Sequence, residues 1–149
     1  MIKCTFENGG KGLLRHVIVD ALILNSKNEI LLVKRAEGKV LEGGKWAIVG
    51  GFVERDETLE QTVHREVLEE TGWEIDNIRL LRIIDNPNRP NEDRQNIAFV
   101  YVCEAVKKIG EADDESTEQR WFSFKDLPPK DNFAFDHFED IEFYLQKGK

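Results

Sequence analysis

GFVERDETLEQTVHREVLEETGW, residues 51–73, is the segment from which local structure is most readily predicted. Its apolar residues recur at a spacing of four, which predicts one face of a helix: Leu59, Val63 and Val67. Thr58 and Gln61 form a capping-box pattern, and Gly72 lies where a left-handed C-terminal residue is expected. The segment therefore predicts a loop followed by a helix over residues 58–71.

Three glutamates crowd the end of this predicted helix. With ~3.6 residues per turn, Glu66, Glu69 and Glu70 share one face. Like charges at this spacing destabilise a helix by roughly a few tenths of a kcal/mol, and the helix dipole disfavours anions at the C-terminal end. The cluster is either a solvated face or a site where a cation offsets the repulsion. Oxygen ligands suit Mg²⁺ or Mn²⁺, whereas zinc is disfavoured because the cluster contains neither Cys nor His.

The rest of the chain predicts strands around this helix and a second helix near the end. Residues 15–24 and 27–35 predict a hairpin joined by NSKN, and KWAIV predicts a short strand between two glycine pairs. IRLLRIID and NIAFVYVCEAV predict strands flanking a polar loop at residues 86–95, and QRWFSF predicts a strand after an acidic loop. The last helix is expected near Asp136. The pattern indicates one mixed α/β domain over residues 1–149.

Composition narrows the classes of function. The 149 residues are 40% hydrophobic and 34% charged, which is typical of a soluble globular chain. A formal net charge of −8 argues against general binding to nucleic acid or anionic membranes. Cys4 and Cys103 are solitary, so each is predicted to be a small apolar residue or a spare thiol. The N-terminus lacks a signal-peptide pattern, and the longest apolar run, VIVDALIL, is short and interrupted by Asp20. We therefore expect a cytoplasmic location.

Residues 51–73 resemble the signature of the Nudix hydrolases. That signature is Gly, five residues, Glu, seven residues, Arg-Glu, a bulky apolar residue, any residue, Glu-Glu, any residue, Gly and a bulky apolar residue. All seven fixed positions are filled: Gly51, Glu57, Arg65, Glu66, Glu69, Glu70 and Gly72. Val67 and Trp73 fill the bulky apolar positions. Seven such matches arise by chance at ~10⁻⁸ per starting point.

The resemblance extends over most of the chain, because KW..VGG and E..WF...DLP follow in the family's order. It implies a mixed α/β (α+β) fold, an α/β/α sandwich around a mixed β-sheet. It also implies Mg²⁺- or Mn²⁺-dependent hydrolysis of a nucleoside diphosphate linked to another moiety. Related enzymes often dimerise, so a homodimer is the implied assembly. Val49 replaces a common Pro and Asp56 a common Gly, and neither change removes a predicted ligand.

The resemblance assigns roles to the residues of the signature. Three of them match the family's metal-binding positions: Glu66, Glu69 and Glu70. Glu57 is either an outer metal ligand or the partner that orients Arg65. Arg65 is expected to hold the free oxygen of a ligating carboxylate. The Gly50 carbonyl is a further expected ligand, since a glycine pair lets the backbone approach closely. The implied chemistry is attack by a metal-activated water on a phosphorus.

The general base varies across the family, so several candidates stay open. Glu69 and Glu70 are candidates within the signature. Glu92, Glu115 and Glu118 are candidates on loops, and Glu118, just before QRWF, is favoured among them. The alternative for each loop residue is an ordinary exposed glutamate.

Substrate contacts are predicted from arginines and aromatics. Arg35 resembles a position that often contacts phosphate, and the alternative is an edge-strand charge. The loop at residues 86–95 resembles that of ADP-ribose pyrophosphatases, so Arg89 and Arg94 are expected to contact a terminal ribose or phosphate unless the loop is simply exposed. Phe52 is either a substrate contact or a packing residue. Two tryptophans are expected in the core: Trp46 and Trp121.

The substrate expected first is ADP-ribose or a similar nucleotide sugar. A nucleoside triphosphate-sanitising enzyme or a dinucleoside polyphosphate hydrolase comes next. A module that binds a nucleotide without cutting it is the alternative of a different class. Such modules commonly lose carboxylates of the signature, whereas this chain keeps all of them. The sequence therefore favours hydrolysis.

Overall fold

The computed structural model describes residues 1–89 and 95–147. Its elements in chain order are β1 (Ile2–Thr5), β2 (Lys11–Leu14), β3 (Val17–Leu24), β4 (Ile30–Arg35), β5 (Trp46–Ala47), β6 (Val49–Phe52), α1 (Leu59–Thr71), β7 (Trp73–Ile84), β8 (Ile97–Lys108), β9 (Ser116–Phe122) and α2 (His137–Lys147). A single 3-10 turn, Lys130–Asn132, precedes α2.

Within the described residues, seven strands form one mixed sheet. β3 lies at its centre, parallel to β8 and antiparallel to both β4 and β6. β7 extends the sheet beyond β8, while β5 and β9 pair with β4. β1 and β2 form a separate hairpin. The predicted mixed sheet and its leading hairpin of β3 and β4 are confirmed.

Two hydrophobic cores lie on opposite faces of this sheet. Successive side chains of a strand point to opposite faces, so alternate residues of β3 join different cores. Val19, Ala21 and Ile23 pack with Val63 and Val67 of α1. The intervening β3 residues pack with α2: Leu22 and Leu24 with Ile141 and Tyr144. One helix therefore covers each face, which confirms the predicted α/β/α sandwich.

Helix α1 begins and ends where its sequence predicts. The Thr58 hydroxyl accepts a hydrogen bond from the backbone N–H of Gln61 at 3.2 Å. In return, the side-chain oxygen of Gln61 accepts a hydrogen bond from the backbone N–H of Thr58 at 2.8 Å. Gly72 ends the helix in the left-handed region, with φ of 74°, and its amide donates to the Leu68 carbonyl. Both caps satisfy backbone groups that the helix ends leave unpaired.

Replacing Gly72 with alanine is expected to lower the free energy of unfolding by at least about 2 kcal/mol. A left-handed alanine costs roughly 1–2 kcal/mol, and the new Cβ would also overlap the Gly110 carbonyl. Gly9→Ala is the matched control, because Gly9 has φ of 81° with open space around its Cβ position. Urea unfolding of both variants measures the difference. Equal losses would contradict the packing argument.

Several boundaries differ from the sequence prediction. β7 begins at Trp73, directly after α1, because pairing with β8 overrides the turn-forming residues Asp76 and Asn77; the strand register is irregular there. β9 begins at Ser116, so Glu118 lies in a strand rather than a loop. The hairpin of β1 and β2 was not predicted.

Within the described residues, the cysteines, the tryptophans and the helices agree with the sequence prediction. Cys4 and Cys103 are free thiols, and Cys103 is buried in the core. Trp46 and Trp121 pack against the two cores. None of the helices in residues 1–89 and 95–147 is long and apolar enough to cross a membrane.

Candidate active site

Arg65 organises the acidic face of α1. Its Nε and Nη2 donate to the two oxygens of Glu57, at 2.8 and 3.0 Å. Its Nη1 donates to Glu66 at 2.8 Å and to Glu69 at 3.2 Å. Nη2 also donates to the Phe52 carbonyl at 3.1 Å. Hydrogen bonds from Arg65 lower the pKa of Glu57 to about 2, so this pair is ionised at neutral pH. Glu57 thus orients Arg65, which in turn holds one oxygen of Glu66.

The three clustered glutamates differ sharply in exposure. Glu70 is 8% exposed, whereas the Glu69 side chain is 55% exposed. The Glu66 carboxylate packs so closely on Gly51 that a Cβ there would overlap it. Burial raises the pKa of Glu70 well above its usual value, and the charges of Glu66 and Asp113 add to the effect. Burial likewise raises the pKa of Glu66.

The donor set suits a hard divalent cation in chemistry, although it is not preassembled. Among the described residues, no three His, Cys, Asp or Glu side chains converge as they stand to hold a metal. Arg65 instead occupies oxygens of Glu66 and Glu69. The available ligands are carboxylate and carbonyl oxygens, which Mg²⁺ and Mn²⁺ prefer. Like-charge repulsion at Glu66 and Glu70 is what a bound cation would relieve.

A cavity of about 770 Å³ opens beside Glu66, whereas Glu69 and Glu70 are not among the described residues that line it. The glycine pair of β6 and Glu66 line it together with charged residues from other elements. The strand register places Gly50 of β6 opposite Asp20 of β3. The Gly50 carbonyl, which was predicted to bind a metal, therefore lies near a second carboxylate. The volume falls within the 300–1,000 Å³ usual for small-molecule sites.

Most of the predicted substrate contacts reach this cavity. Arg35 lines it, donates from Nε to the Leu41 carbonyl at 2.7 Å, and lies 5.3 Å from the centre of the Phe135 ring. Phe52 and Arg89 also line it. Arg94 falls within residues 90–94, outside the described residues.

The predicted general bases are distributed differently from expectation. Glu115 lines the cavity. Glu118, favoured from the sequence, is exposed on β9 opposite Lys34 and is absent from the cavity lining that the structure describes. Strand pairing of β9 with β4 directs it away, which a loop assignment did not anticipate. Glu92 lies outside the described residues.

Among the cavity residues that were not identified from the sequence as site residues, three are buried and polar: Asp20, Asn96 and His137. Asp20 could have been noticed in the sequence, because it interrupts the apolar segment VIVDALIL. In the structure its side chain is only 3% exposed. Burial raises its pKa to about 7. His137 is the first residue of α2. Nothing in the sequence around it indicates a site, because only the folding of the chain brings α2 to the cavity.

Residues 14–141 match the family model for the NUDIX domain. The chain is 35% identical over 130 residues to an ADP-ribose pyrophosphatase of Methanocaldococcus jannaschii, covering 87% of this chain and 73% of the relative. A MutT/nudix family protein from Enterococcus faecalis superposes with a TM-score of 0.77 at 27% identity, covering 93% of this chain and 63% of that protein.

A second solved structure is a bifunctional NMN adenylyltransferase/ADP-ribose pyrophosphatase from Francisella tularensis, complexed with AMP and a Mn ion. It has a TM-score of 0.72 and 25% identity, and the match covers 91% of this chain and 42% of that protein. The chain therefore spans less than two thirds of either solved structure. The family match over most of the chain, with every fixed residue of the signature on or beside α1, shows that the chain belongs to the Nudix family of hydrolases.

Proposed function

We propose that this chain is a Mg²⁺- or Mn²⁺-dependent pyrophosphohydrolase that cleaves a nucleoside diphosphate linked to a sugar, with ADP-ribose as the first candidate. The observation that carries the proposal is the placement of Glu66 and Arg35 on the walls of one cavity. An acidic face for a cation and a guanidinium for phosphate oxygens are what a pyrophosphate requires. The relative from Methanocaldococcus jannaschii supports the choice of ADP-ribose.

In this proposal, Glu66, Glu69, Glu70 and the Gly50 carbonyl hold the cation. When bound, the cation supplies charge neutralisation at the pyrophosphate oxygens and activation of water. Arg65 orients Glu66 while Glu57 fixes Arg65.

Other side chains of the cavity position the substrate. Arg35 binds a phosphate, and its position over the Phe135 ring holds the guanidinium in place. Phe52, exposed at the cavity wall, offers an apolar surface to the nucleoside.

The proton of the attacking water requires an acceptor, and the proposal assigns this role to Glu115. Glu115→Gln is expected to lower kcat about 100-fold or more, since general base catalysis contributes 10²–10⁴-fold. Glu118→Gln is the matched control, because Glu118 is exposed on β9. It should stay within about twofold of the parent protein. Steady-state kinetics with Mg²⁺ compares the two variants, and a larger loss in Glu118→Gln would reverse the assignment.

A panel of compounds tests the proposed reaction. Purified protein is incubated with ADP-ribose, other nucleotide sugars, dinucleoside polyphosphates and oxidised nucleoside triphosphates, with Mg²⁺, with Mn²⁺ or with EDTA. Chromatography of the products is expected to show AMP and ribose 5-phosphate from ADP-ribose, only when the metal is present. Binding of ADP-ribose without turnover of any compound would favour the nucleotide-sensing alternative.

A further inference from the structure

The loop between β8 and β9, residues 109–115, carries Glu115, to which the proposed function assigns the role of general base. The loop begins against the C-terminal end of α1. There the Gly72 carbonyl accepts hydrogen bonds from the backbone N–H groups of Ile109 and Gly110, at 2.8 and 3.1 Å. The segment that carries the base is therefore joined to the helix that carries the candidate metal ligands.

Asp113 makes a second contact with this helix. Its backbone N–H donates to the Glu69 carbonyl at 2.9 Å. Glu69 lies in the last turn of α1, where backbone carbonyls have no partner within the helix. The Glu69 carbonyl takes its partner from the loop instead, which fixes the position of Asp113 relative to the acidic end of α1.

The side chain of Asp113 continues this connection to Glu115. Asp113 Oδ1 accepts a hydrogen bond from the backbone N–H of Glu115 at 3.0 Å. This is the local turn that an aspartate makes with the residue two positions further on. The Glu115 carbonyl accepts in turn from the backbone N–H of Ala36 at 2.8 Å, and Ala36 directly follows Arg35. The backbone of Glu115 is thus held between α1 and the arginine that the proposed function assigns to phosphate.

Two other interactions of the loop must be distinguished from this hydrogen bond. Asp114 forms an ion pair with Lys39, in which the two side chains are 85% and 54% exposed. Exposed ion pairs contribute little, because water screens them and ordering two side chains costs entropy. The charge of Asp113 also adds to the increase that burial causes in the pKa of Glu70. Substitutions at these positions can separate charge from hydrogen bonding.

We propose that Asp113 is a positioning residue, which holds Glu115 at the wall of the cavity through the Glu115 N–H while its own N–H is bonded to α1. Glu115 lines the cavity, whereas Asp113 is not among the described residues that do so. Asp113 therefore acts through Glu115 and not on the substrate. The inference rests on the proposed function, because Glu115 is the base there.

Two substitutions of Asp113 test the hydrogen bond, by steady-state kinetics on ADP-ribose with Mg²⁺. Asp113→Ala is expected to lower kcat about tenfold and to leave KM within about twofold. A displacement of about 1 Å in a catalytic site can cost 10²-fold, and the remaining hydrogen bond to Ala36 limits the loss. Asp113→Asn removes the same charge but keeps an oxygen that can accept from Glu115, so its kcat should be within about threefold of the parent's. Equal losses in the two variants would assign the effect to charge and overturn the proposal.

Asp114→Ala is the matched control in the same loop. It removes the neighbouring carboxylate and the exposed ion pair with Lys39. Its kcat should stay within about twofold of the parent's, and the melting temperatures of all three variants should be near that of the parent. A tenfold loss in Asp114→Ala would show that any acidic residue of the loop has this effect, and would overturn the specific role of Asp113.

A double variant tests whether Asp113 acts through Glu115. In a Glu115→Gln background, Asp113→Ala should cost less than about twofold in kcat, because the base that it positions is already gone. A further tenfold loss in that background would overturn the proposal. Parental kcat in Glu115→Gln alone would also overturn it, while hydrolysis itself would be retained.

Amide hydrogen exchange, measured by NMR without substrate, tests the contact independently of turnover. The Glu115 N–H should exchange about tenfold faster in Asp113→Ala than in the parent, and at the parent's rate in Asp113→Asn. This pattern in a protein that turns over none of the compounds would reject the proposed hydrolysis and still support the placement of Glu115 by Asp113. Equal exchange in all three proteins would overturn that placement, even where metal-dependent hydrolysis is observed.

Discussion

Replacing Glu70 with glutamine is expected to lower kcat about 10³-fold with Mg²⁺ while the fold stays intact. Glutamine keeps the size of the side chain but removes the anionic oxygen that the proposal assigns to the cation. Several kcal/mol of transition-state charge stabilisation depend on that cation, and each 1.36 kcal/mol is a factor of ten. Steady-state turnover of ADP-ribose over a range of Mg²⁺ concentrations measures the loss.

Glu60→Gln is the matched control, since Glu60 lies exposed in the first turn of the same helix. It should leave turnover unchanged. Thermal unfolding of Glu70→Gln without metal should match or exceed that of the parent, because the variant removes a buried carboxyl next to Glu66. Full Mg²⁺-dependent activity in Glu70→Gln would remove Glu70 from the metal site.

Replacing Gly51 with alanine is the second change with a large expected effect. The new Cβ would overlap the Glu66 carboxylate, so that side chain must move away from its position beside Arg65. A displacement of about 1 Å in a catalytic site can cost 10²-fold, and we expect a loss of that order in kcat/KM. Gly51 does not have a positive φ, so the effect comes from space and not from backbone strain.

Gly110→Ala provides the control for this substitution. A Cβ at Gly110 would meet only the Gly72 Cα at 3.7 Å, an ordinary contact. Its kcat/KM should stay within about twofold of the parent. If Gly51→Ala keeps full activity and its Mg²⁺ dependence, the close packing of Glu66 on β6 has no role in the reaction.

Features that depend on local chain chemistry were predictable from the sequence. The ends of α1 follow from Thr58, Gln61 and Gly72, whose hydrogen bonds all lie within a few residues of each other. The sandwich was implied by the resemblance to the Nudix hydrolases, and in the structure one face of β3 packs against the apolar stripe of α1. The signature placed the acidic face correctly on that helix because its spacing matches a helical turn.

Features that depend on long-range contacts were not predictable. Asp20 and His137 are 117 positions apart by number, and only the packing of α2 on the sheet brings them to one cavity. Glu118 was misplaced because strand pairing, not local sequence, decides where β9 begins. The burial of Arg89 likewise depends on Asp136, which lies beyond β8 and β9 in the chain.

Anomalous diffraction from crystals grown with Mn²⁺ and a non-hydrolysable methylene analogue of ADP-ribose would locate the cation directly. The proposed site predicts an anomalous peak among Glu66, Glu69, Glu70 and the Gly50 carbonyl, with the analogue's phosphates against it and Arg35. A cavity that holds the analogue while Glu66 and Glu69 remain bonded to Arg65, with no peak at these glutamates, would contradict it.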